Sequence, residues 1–375
     1  MKYKLQFFYC IAIVFLAQNC TERGKGSSEY QDNGAPYYSL KDFETVKKFD
    51  THIHFNYVDT CFIQQAEADG FYLVNITDDR PFGLPLKEQK IIAEQIEESF
   101  SSRITYATTF STQNWEEEQW VDGAIAELDS AFSKGAKAVK VWKNIGMELK
   151  DRDGKFVMVD HPKLDRIWQY LAEKNIPVIG HNGEPKDCWL PLEEMTINGT
   201  RNYYSNHPEY HMYLHPEYPS YEDQIQARDN VLERNPDLTF IGAHLGSLEW
   251  SLDELSKRLD KYPNMAVDLS RMSNLQNHAM MDSQKTYEFF LKYQDRLLYG
   301  SDKIVGEPKN PSEMKKNLHN SWLSDWKFLA TDDTMTSSGF EGEFKGLKLP
   351  KEVIDKIYFK NAKKWILGLD PEATI

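Results

Sequence analysis

Short runs of apolar residues alternate along the chain with longer segments in which apolar residues recur every three or four positions. The first pattern predicts buried strands and the second predicts helices. Eight strands are expected, the first ending at His54 and the others covering 70–77, 103–110, 136–143, 176–181, 238–244, 265–270 and 296–302. Helices are expected at 87–102, 116–133, 162–174, 223–234, 247–259 and 281–293, with a closing helix at 351–367.

This alternation favours a parallel sheet with helical crossovers. Eight such units fit a (β/α)8 TIM barrel of the α/β class better than an open doubly wound sheet. No glycine-rich dinucleotide motif follows the first strand, which weakens the open-sheet alternative further. We therefore expect a single barrel domain over 46–370, with long loops after strands 5 and 8, at 182–221 and 303–349. In a barrel both loops lie at the C-terminal face, where active sites are built.

The first twenty residues carry a different pattern. A positively charged start precedes an apolar run at 7–17, whose length is typical of a signal peptide and short for a membrane span. The residues before Cys20 resemble a bacterial lipoprotein cleavage site, although Asn19 stands where a small residue is usual. We expect an exported protein, either a periplasmic one with an ordinary signal or a lipoprotein tethered to the membrane only by lipidated Cys20. Residues 21–45 then form a tether.

The amino-acid composition restricts the kinds of binding partner to be expected. The chain has 58 acidic and 44 basic residues, and this balance speaks against broad nucleic-acid binding. A small-molecule substrate is expected, and a homo-oligomer is left open. Apart from Cys20, only Cys61 and Cys188 remain after removal of a signal, which is too few for a disulfide framework.

The candidate chemistry begins in the first strand, at Asp50-Thr51-His52-Ile53-His54. Side chains alternate along a strand, so Asp50 and both histidines are expected on one face. Two adjacent imidazoles can each give a nitrogen to one metal ion, and Asp50 could stand behind them as a hydrogen-bonding partner.

The C-terminal ends of other strands supply further polar side chains. Four of the ten histidines lie at strand ends, and a barrel gathers these ends around one axis. Imidazole and carboxylate ligands suit a divalent ion such as zinc. The strand pattern leaves open which of two lysines in strand 4 faces inward. The candidates beyond the first strand are Lys140 or Lys143, His181, His244 and Asp302.

These segments resemble a known family. The motif at 50–54, IPVIGH at 176–181, FIGAHLG at 240–246 and LYGSD at 298–302 are similar to strand motifs of the amidohydrolase superfamily. Within it, the chain resembles the amidohydrolase-2 group, which holds aminocarboxymuconate semialdehyde decarboxylase-like enzymes. The resemblance extends from about 48 to 369 and includes the closing segment.

The resemblance implies roles for individual residues. His52, His54, His181 and Asp302 become the metal ligands, most simply of one Zn²⁺, with Mn²⁺ as the alternative. Asp302 would also accept a proton from a metal-activated water, and His244 would polarise the substrate or move a proton. In two-metal relatives a carbamylated lysine at the end of strand 4 bridges the ions. The group is usually mononuclear, so Lys140 and Lys143 are expected to be substrate contacts or solvated charges.

Three functions remain open. The first is a metal-dependent hydrolase acting on a small ester, lactone or amide, such as a sugar-derived lactone. The second is a metal-dependent non-oxidative decarboxylase, a lyase on the same scaffold, and the third is an inactive barrel that acts as a binding protein. Arg271 could meet a substrate carboxylate or pair with a neighbouring acid. Trp189 begins an aromatic segment, which forms either a substrate lid or a packed rim.

Overall fold

The computed structural model describes residues 36–366 and 368–369, which all belong to one compact unit. The predicted signal peptide at 1–20, with Cys20, lies outside the described residues, as does most of the predicted tether. Residues 36–45, the described end of that tether, pack on the barrel. Phe43 is buried, and the Trp326 indole donates to the Ser39 carbonyl at 3.0 Å. Among the described helices none combines the length and apolarity needed to cross a bilayer.

The strands form one parallel sheet in which each strand pairs with its neighbours in sequence, and the last pairs with the first. Residues 297–305 provide the eighth strand in two pieces, β8 and β9. The amide of Leu269 donates to Leu298 O, and the amide of Thr51 donates to Tyr299 O, both at 2.9 Å. The same segment therefore bonds to strands on both sides and closes the sheet. The strands are β1 Lys48–Phe55, β2 Phe71–Ile76, β3 Ile104–Thr108, β4 Ala138–Val141, β5 Val178–Gly180, β6 Phe240–Gly242, β7 Met265–Asp268, β8 Leu297–Leu298 and β9 Lys303–Val305.

Helices surround this barrel. Most occupy the predicted positions, but four helices of nine or more residues were not predicted: Thr60–Ala68, Asn198–Asn206, Met272–Met281 and Pro311–Ala330. Two four-residue helices, Asn144–Met147 and Ala243–Gly246, were not predicted either. The others are Leu86–Phe100, Trp120–Ser133, Asp165–Glu173, Tyr221–Arg234, Leu252–Lys261, Ser283–Lys292 and the closing segments Lys351–Asp355 and Asn361–Trp365, joined by a π turn at Lys356–Lys360.

The connection after the eighth strand is therefore mostly structured. Asn310 caps its helix by accepting from the amide of Glu313, and Pro311 occupies the first turn, where a missing N–H costs nothing. Two strands, β10 Thr334–Thr336 and β11 Glu343–Lys345, form an antiparallel hairpin after the helix. The expectation of a long loop at 303–349 is corrected accordingly.

The barrel interior is packed at one end and polar at the other. Its apolar layer packs against the closing helix, which seals the N-terminal end. Histidine, aspartate and lysine side chains occupy the C-terminal end. The apolar layer contains Phe49, Val74, Ile76, Ala107, Ala138, Ile179, Ile241, Ala266 and Leu298, with Ala362, Trp365 and Ile366 from the closing segment.

Strand β1 contains an irregularity that matters for the site. Its register against β2 shifts between Asp50 and Ile53, where it carries one extra residue. Asp50 therefore faces the helices and accepts the Trp322 indole N–H at 3.0 Å, whereas the His52 ring bonds to Asp268. The prediction that Asp50 shares a face with the two histidines is wrong, because a bulge reverses the side-chain alternation.

Candidate metal centre and active site

Three ligand-type side chains meet at the C-terminal mouth of the barrel. The Nε2 atoms of His52 and His54 lie 3.4 and 3.5 Å from the same oxygen, Oδ1 of Asp302. All three atoms lie within 4.8 Å of one another. Both histidines are buried and Asp302 is half-buried. Strand β1 and the turn between β8 and β9 thus bring together two imidazoles and one carboxylate.

Hydrogen-bond partners fix which nitrogen of each ring carries the proton. His52 Nδ1 lies 2.7 Å from Asp268 Oδ2, and His54 Nδ1 lies 2.8 Å from the carbonyl oxygen of Ile76. A carboxylate and a carbonyl only accept hydrogen bonds, so each Nδ1 carries the hydrogen. Burial lowers the pKa of His52 and favours its neutral ring. In the neutral ring of His54, as in that of His52, Nε2 presents a lone pair towards Asp302.

Two lone pairs and a carboxylate oxygen repel one another unless a positive group lies between or beside them. Neutral imidazoles with their second nitrogen held by another group, together with a carboxylate, are a typical ligand set for Zn²⁺. A lysine is also present, because Lys140 Nζ lies 3.3 Å from His52 Nε2. Burial lowers the pKa of Lys140, which favours a neutral amine that tolerates a neighbouring cation.

His181 lies beside this group rather than within it. Its ring centroid is 4.4 Å from that of His244, and burial lowers its pKa well below the usual value. Its Nε2 atom is buried and has no hydrogen-bond partner in the described part of the chain. An unpaired buried polar atom is costly, so this nitrogen is available to a cation or a substrate group. Its role as a metal ligand stays a prediction.

His244 is held by a chain of hydrogen bonds. The Ser270 hydroxyl lies 2.5 Å from Asp268 Oδ1 and 2.8 Å from His244 Nδ1. The carboxylate accepts the hydroxyl hydrogen, so the Ser270 oxygen accepts from His244 Nδ1–H. Burial lowers the pKa of His244 well below its usual value, and its Nε2 lies 3.8 Å from Asp302 Oδ2. His244 is therefore a neutral base whose free lone pair faces the site.

The sequence reasoning missed Asp268, which ends strand β7. One of its oxygens orients the ring of His52, and the other accepts from Ser270 and from the backbone amide of His244 at 2.9 Å. A single carboxylate thus positions both a ligand-type histidine and the candidate base. A charged residue inside the apolar run at 265–270 was the signal that could have identified it.

The two lysines of the fourth strand lie in different environments, which answers the question left open by the strand pattern. Lys140 is buried in the barrel beside His52. Lys143 follows the strand end, where it forms a close ion pair with Glu184. Burial lowers the pKa of Lys143 to about 8.

Arg271 and Trp189 lie at the rim. Arg271 directly follows Ser270 and is half-buried, and its Nε atom has no hydrogen-bond partner among the described residues. Its charge helps to lower the pKa of His244, which is already lowered by burial. Trp189 packs edge-on against Tyr221, with ring centroids 5.7 Å apart, and contacts none of the ligand-type side chains in the described contacts.

A cleft of about 510 Å³ opens at this rim. Lys143 and Glu184 lie at its polar side, and the aromatic segment predicted as lid or rim provides part of the opposite wall. Tyr203 and Tyr210 in that segment stack on each other and are partly exposed. The aromatic and sulfur-containing wall residues are Phe82, Trp142, Met147, Phe156, Tyr203, Tyr210, Met212 and Tyr218.

The turn that carries Asp302 depends on a glycine. Asp302 has φ 57°, in the left-handed region, and its amide donates to His52 O at 2.8 Å. A Cβ atom on Gly300 would lie 2.9 Å from the Cβ atom of His52, closer than ordinary contacts allow. The absence of a side chain at Gly300 therefore lets this turn approach strand β1.

Imidazoles, a carboxylate and a buried lysine meet at the mouth of a closed parallel barrel. The class of protein is therefore an α/β barrel with a candidate metal centre. A family model described as Amidohydrolase, of the amidohydrolase-2 group, matches residues 117–366, which is more than half of the chain. The chain belongs to this amidohydrolase family, and the resemblance read from its strand motifs is confirmed. No protein of curated function matches the chain.

Solved structures share the architecture. An uncharacterized TIM-barrel protein from Bordetella bronchiseptica has 15% identity and a TM-score of 0.50, covering 85% of this chain and 98% of its own. A 2,6-dihydroxybenzoate decarboxylase from Rhizobium has 15% identity and a TM-score of 0.49 over 85% and 98% of the two chains. At 15% identity, the similarity to the Bordetella bronchiseptica protein supports the fold alone. The predicted (β/α)8 barrel is confirmed.

Proposed function

We propose that this protein is a metal-dependent hydrolase that acts on a small ester, lactone or amide. The observation that carries the proposal is the convergence of the Nε2 atoms of His52 and His54 on the Asp302 carboxylate. These three residues would hold the cation, with the unpaired Nε2 of His181 as a further ligand. We propose Zn²⁺, with Mn²⁺ as the alternative. When bound, the ion supplies Lewis acidity, which polarises a substrate oxygen and makes water reactive near neutral pH.

The protein's own groups would move the proton. The free lone pair on His244 Nε2 can take a proton from the attacking water as its oxygen bonds to the carbonyl carbon. The same nitrogen can then return that proton to the leaving oxygen or nitrogen as the bond to the carbonyl carbon breaks. Ser270 and Asp268 keep Nδ1 protonated throughout, so only Nε2 exchanges protons with the substrate.

The cleft beside the site supports a small substrate with one apolar face. Its volume of about 510 Å³ lies within the range of ligand pockets. Aromatic walls favour a flat or ring-shaped group, as in a sugar-derived lactone. Lys143 and Glu184 could hydrogen-bond to its polar edge.

A decarboxylase is the second candidate, and Arg271 is the observation that favours it. An arginine with an unpaired, buried Nε atom next to Ser270 could hold a carboxylate through two parallel hydrogen bonds. A carboxylate held there for binding alone fits a hydrolase, whereas a carboxylate lost as carbon dioxide defines the lyase.

Metal analysis combined with a substrate panel tests these proposals. The purified protein should contain or take up about one equivalent of Zn²⁺ or Mn²⁺, as expected for one such ligand set, and should hydrolyse members of an ester and lactone panel. The variants His52→Ala and Asp302→Asn should abolish activity, and His52→Ala should also lose metal. Release of carbon dioxide without hydrolysis would favour the lyase. A folded protein that binds neither metal would overturn both enzymes and favour a binding role.

We further propose export through residues 1–20, with Cys20 lipidated. The support is the sequence pattern alone. Mass spectrometry of the mature protein from a bacterial host should find an N-terminal diacylglyceryl-cysteine, and Cys20→Ala should remove it. A mature N-terminus elsewhere would favour an ordinary signal peptide.

A further inference from the structure

The helix Pro311–Ala330 lies outside the barrel, yet two of its residues bond to the strands that supply the candidate ligands. The Trp322 indole donates to Asp50 Oδ2 at 3.0 Å, next to His52 in sequence. One turn later, Asp325 Oδ2 accepts the hydroxyl of Tyr299 at 2.7 Å. Tyr299 belongs to the broken eighth strand, just before Asp302. One helix thus contacts β1 and the eighth strand from behind.

Asp50 connects this helix to the ligand-bearing backbone. Its Oδ1 accepts from the amide of Ser301 at 2.9 Å and from the amide of His52 at 3.2 Å. Ser301 precedes Asp302, which holds a left-handed backbone conformation that non-glycine residues adopt at a cost. The Asp50 carboxylate therefore ties the turn carrying the candidate carboxylate ligand to the strand carrying the imidazoles.

Trp322 holds the other oxygen of that carboxylate. Asp50 and Trp322 are both fully buried, and the indole ring stacks on Phe71 with centroids 4.3 Å apart. Without the indole N–H, Asp50 Oδ2 would lose its hydrogen bond from Trp322, and the loss of a donor to a buried carboxylate oxygen is costly. The carboxylate would then rotate towards other donors and release the amides of Ser301 or His52.

We propose that Trp322 and Asp50 are positioning residues for the metal centre, acting through the backbone of the Ser301–Asp302 turn. This inference rests on the proposed metal-dependent function. It assigns a role to the long connection after the eighth strand: its helix sets the geometry of the site without touching the substrate. Partners that orient ligands in this way typically change metal affinity about 10- to 100-fold when removed.

The variant Trp322→Phe tests this directly, because phenylalanine keeps a ring against Phe71 and removes only the donor. We expect Zn²⁺ binding, measured by competition with a chromophoric chelator, to weaken about 10- to 100-fold. The visible spectrum of the Co²⁺-substituted protein should also change, because the ligand geometry changes. Trp326→Phe is the matched control: its indole is buried on the same helix but donates to Ser39 O, so affinity and spectrum should stay as in the wild type.

A second variant secures the test if Trp322→Phe does not fold. In Asp50→Asn the amide oxygen can still accept from Ser301 and His52, but the amide nitrogen would face the Trp322 N–H, donor against donor. Asp50→Asn should weaken metal binding as well. Because the pair acts as a unit, the double variant should bind Zn²⁺ about as tightly as the single variant that has the lower affinity.

Three outcomes are decisive. Weakened binding in Trp322→Phe with an unchanged Trp326→Phe supports the proposal. Wild-type affinity and spectrum in Trp322→Phe, or strictly additive losses in the double variant, overturn it and leave the hydrolase proposal standing. A wild-type protein that binds no metal overturns both.

Discussion

The connections after strands 5 and 8, 182–221 and 303–349, are both long and aromatic but occupy different sides of the site. The first contains one short helix and several tight turns, and its tyrosines line the open cleft. The second contains a helix of 20 residues whose tryptophans are fully buried, and one of them, Trp322, donates a hydrogen bond to Asp50 in β1. One connection lines the cleft, and the other contacts the strands that carry His52 and Asp302 from behind.

This difference has a physical cause. In the second connection apolar residues follow helical spacing, at Leu318, Trp322, Trp326 and Leu329, so one helix face is buried against the barrel. In the first, prolines break any such spacing and the rings pack on one another. Tyr203, for example, contacts His207 and Tyr210. The length of a connection after a barrel strand therefore does not indicate whether it lines the cleft or packs as a helix on the barrel, whereas its apolar periodicity does.

The largest effect should come from the supporting side, through Gly300→Ala. The added Cβ would lie 2.9 Å from the Cβ of His52 and 3.4 Å from the Cβ of Asp268, so the ligand-bearing turn must shift. We expect kcat/KM to fall by about 100-fold or more, as for misplaced catalytic groups, together with weaker metal binding. Gly306→Ala, in the connection that follows this turn, is the control, since nothing lies within 4 Å of its added Cβ. Equal activity in the two variants would contradict this account of the turn.

An intermediate effect, on stability, is expected at Glu249, which contacts the connection after strand 5. Glu249 accepts from the amide of Lys186 at 3.0 Å, and burial raises its pKa from 4.5 to about 7. Below pH 4.5 the carboxyl is neutral in both folded and unfolded protein, so its contribution to the free energy of unfolding is fully present. That contribution is lost as the pH rises through 7. Glu249→Gln should therefore gain about 2–3 kcal/mol over the wild type by pH 8.

Denaturant unfolding at pH 4.5 and pH 8 measures this difference. Glu194 is exposed in the connection after strand 5, and Glu194→Gln should show no such pH-dependent gain in stability. If Glu249→Gln tracks the wild type across this range, the buried carboxyl does not limit stability at neutral pH.

The smallest effect should come from the cleft wall. Tyr210→Ala removes one ring from a wall that contains several, so we expect KM to rise about 2- to 10-fold, with kcat nearly unchanged. Tyr213→Ala is the matched control, because Tyr213 is exposed in the same connection but does not line the cleft. A fall in kcat alone would place Tyr210 in the chemistry rather than in binding.

Much of the barrel was predictable because its signals are local. The alternation of apolar runs and amphipathic segments depends only on residues close together in the sequence. It predicted the bounds of all eight strands to within a few residues. The helix Pro311–Ala330 was missed although its cap, its first-turn proline and its buried spacing are all present in the sequence.

The site was predictable in its residue types and not in its hydrogen bonding. Strand-end position alone brought His52, His54, His244 and Asp302 into one candidate group, and the folded chain gathers them. Asp268 was missed because its partners lie in other strands, with His52 216 positions away.

The sequence by itself determined the barrel, through its periodicity, and the family, through motifs that resemble known ones. It also determined the kinds of side chain at the strand ends. Only the tertiary structure decided which way Asp50 points, which lysine enters the barrel and which nitrogen of each histidine is free. A bulge in β1 reverses the side-chain alternation, and each ring proton is fixed by an acceptor brought from another strand. Such contacts exist only once the sheet has closed.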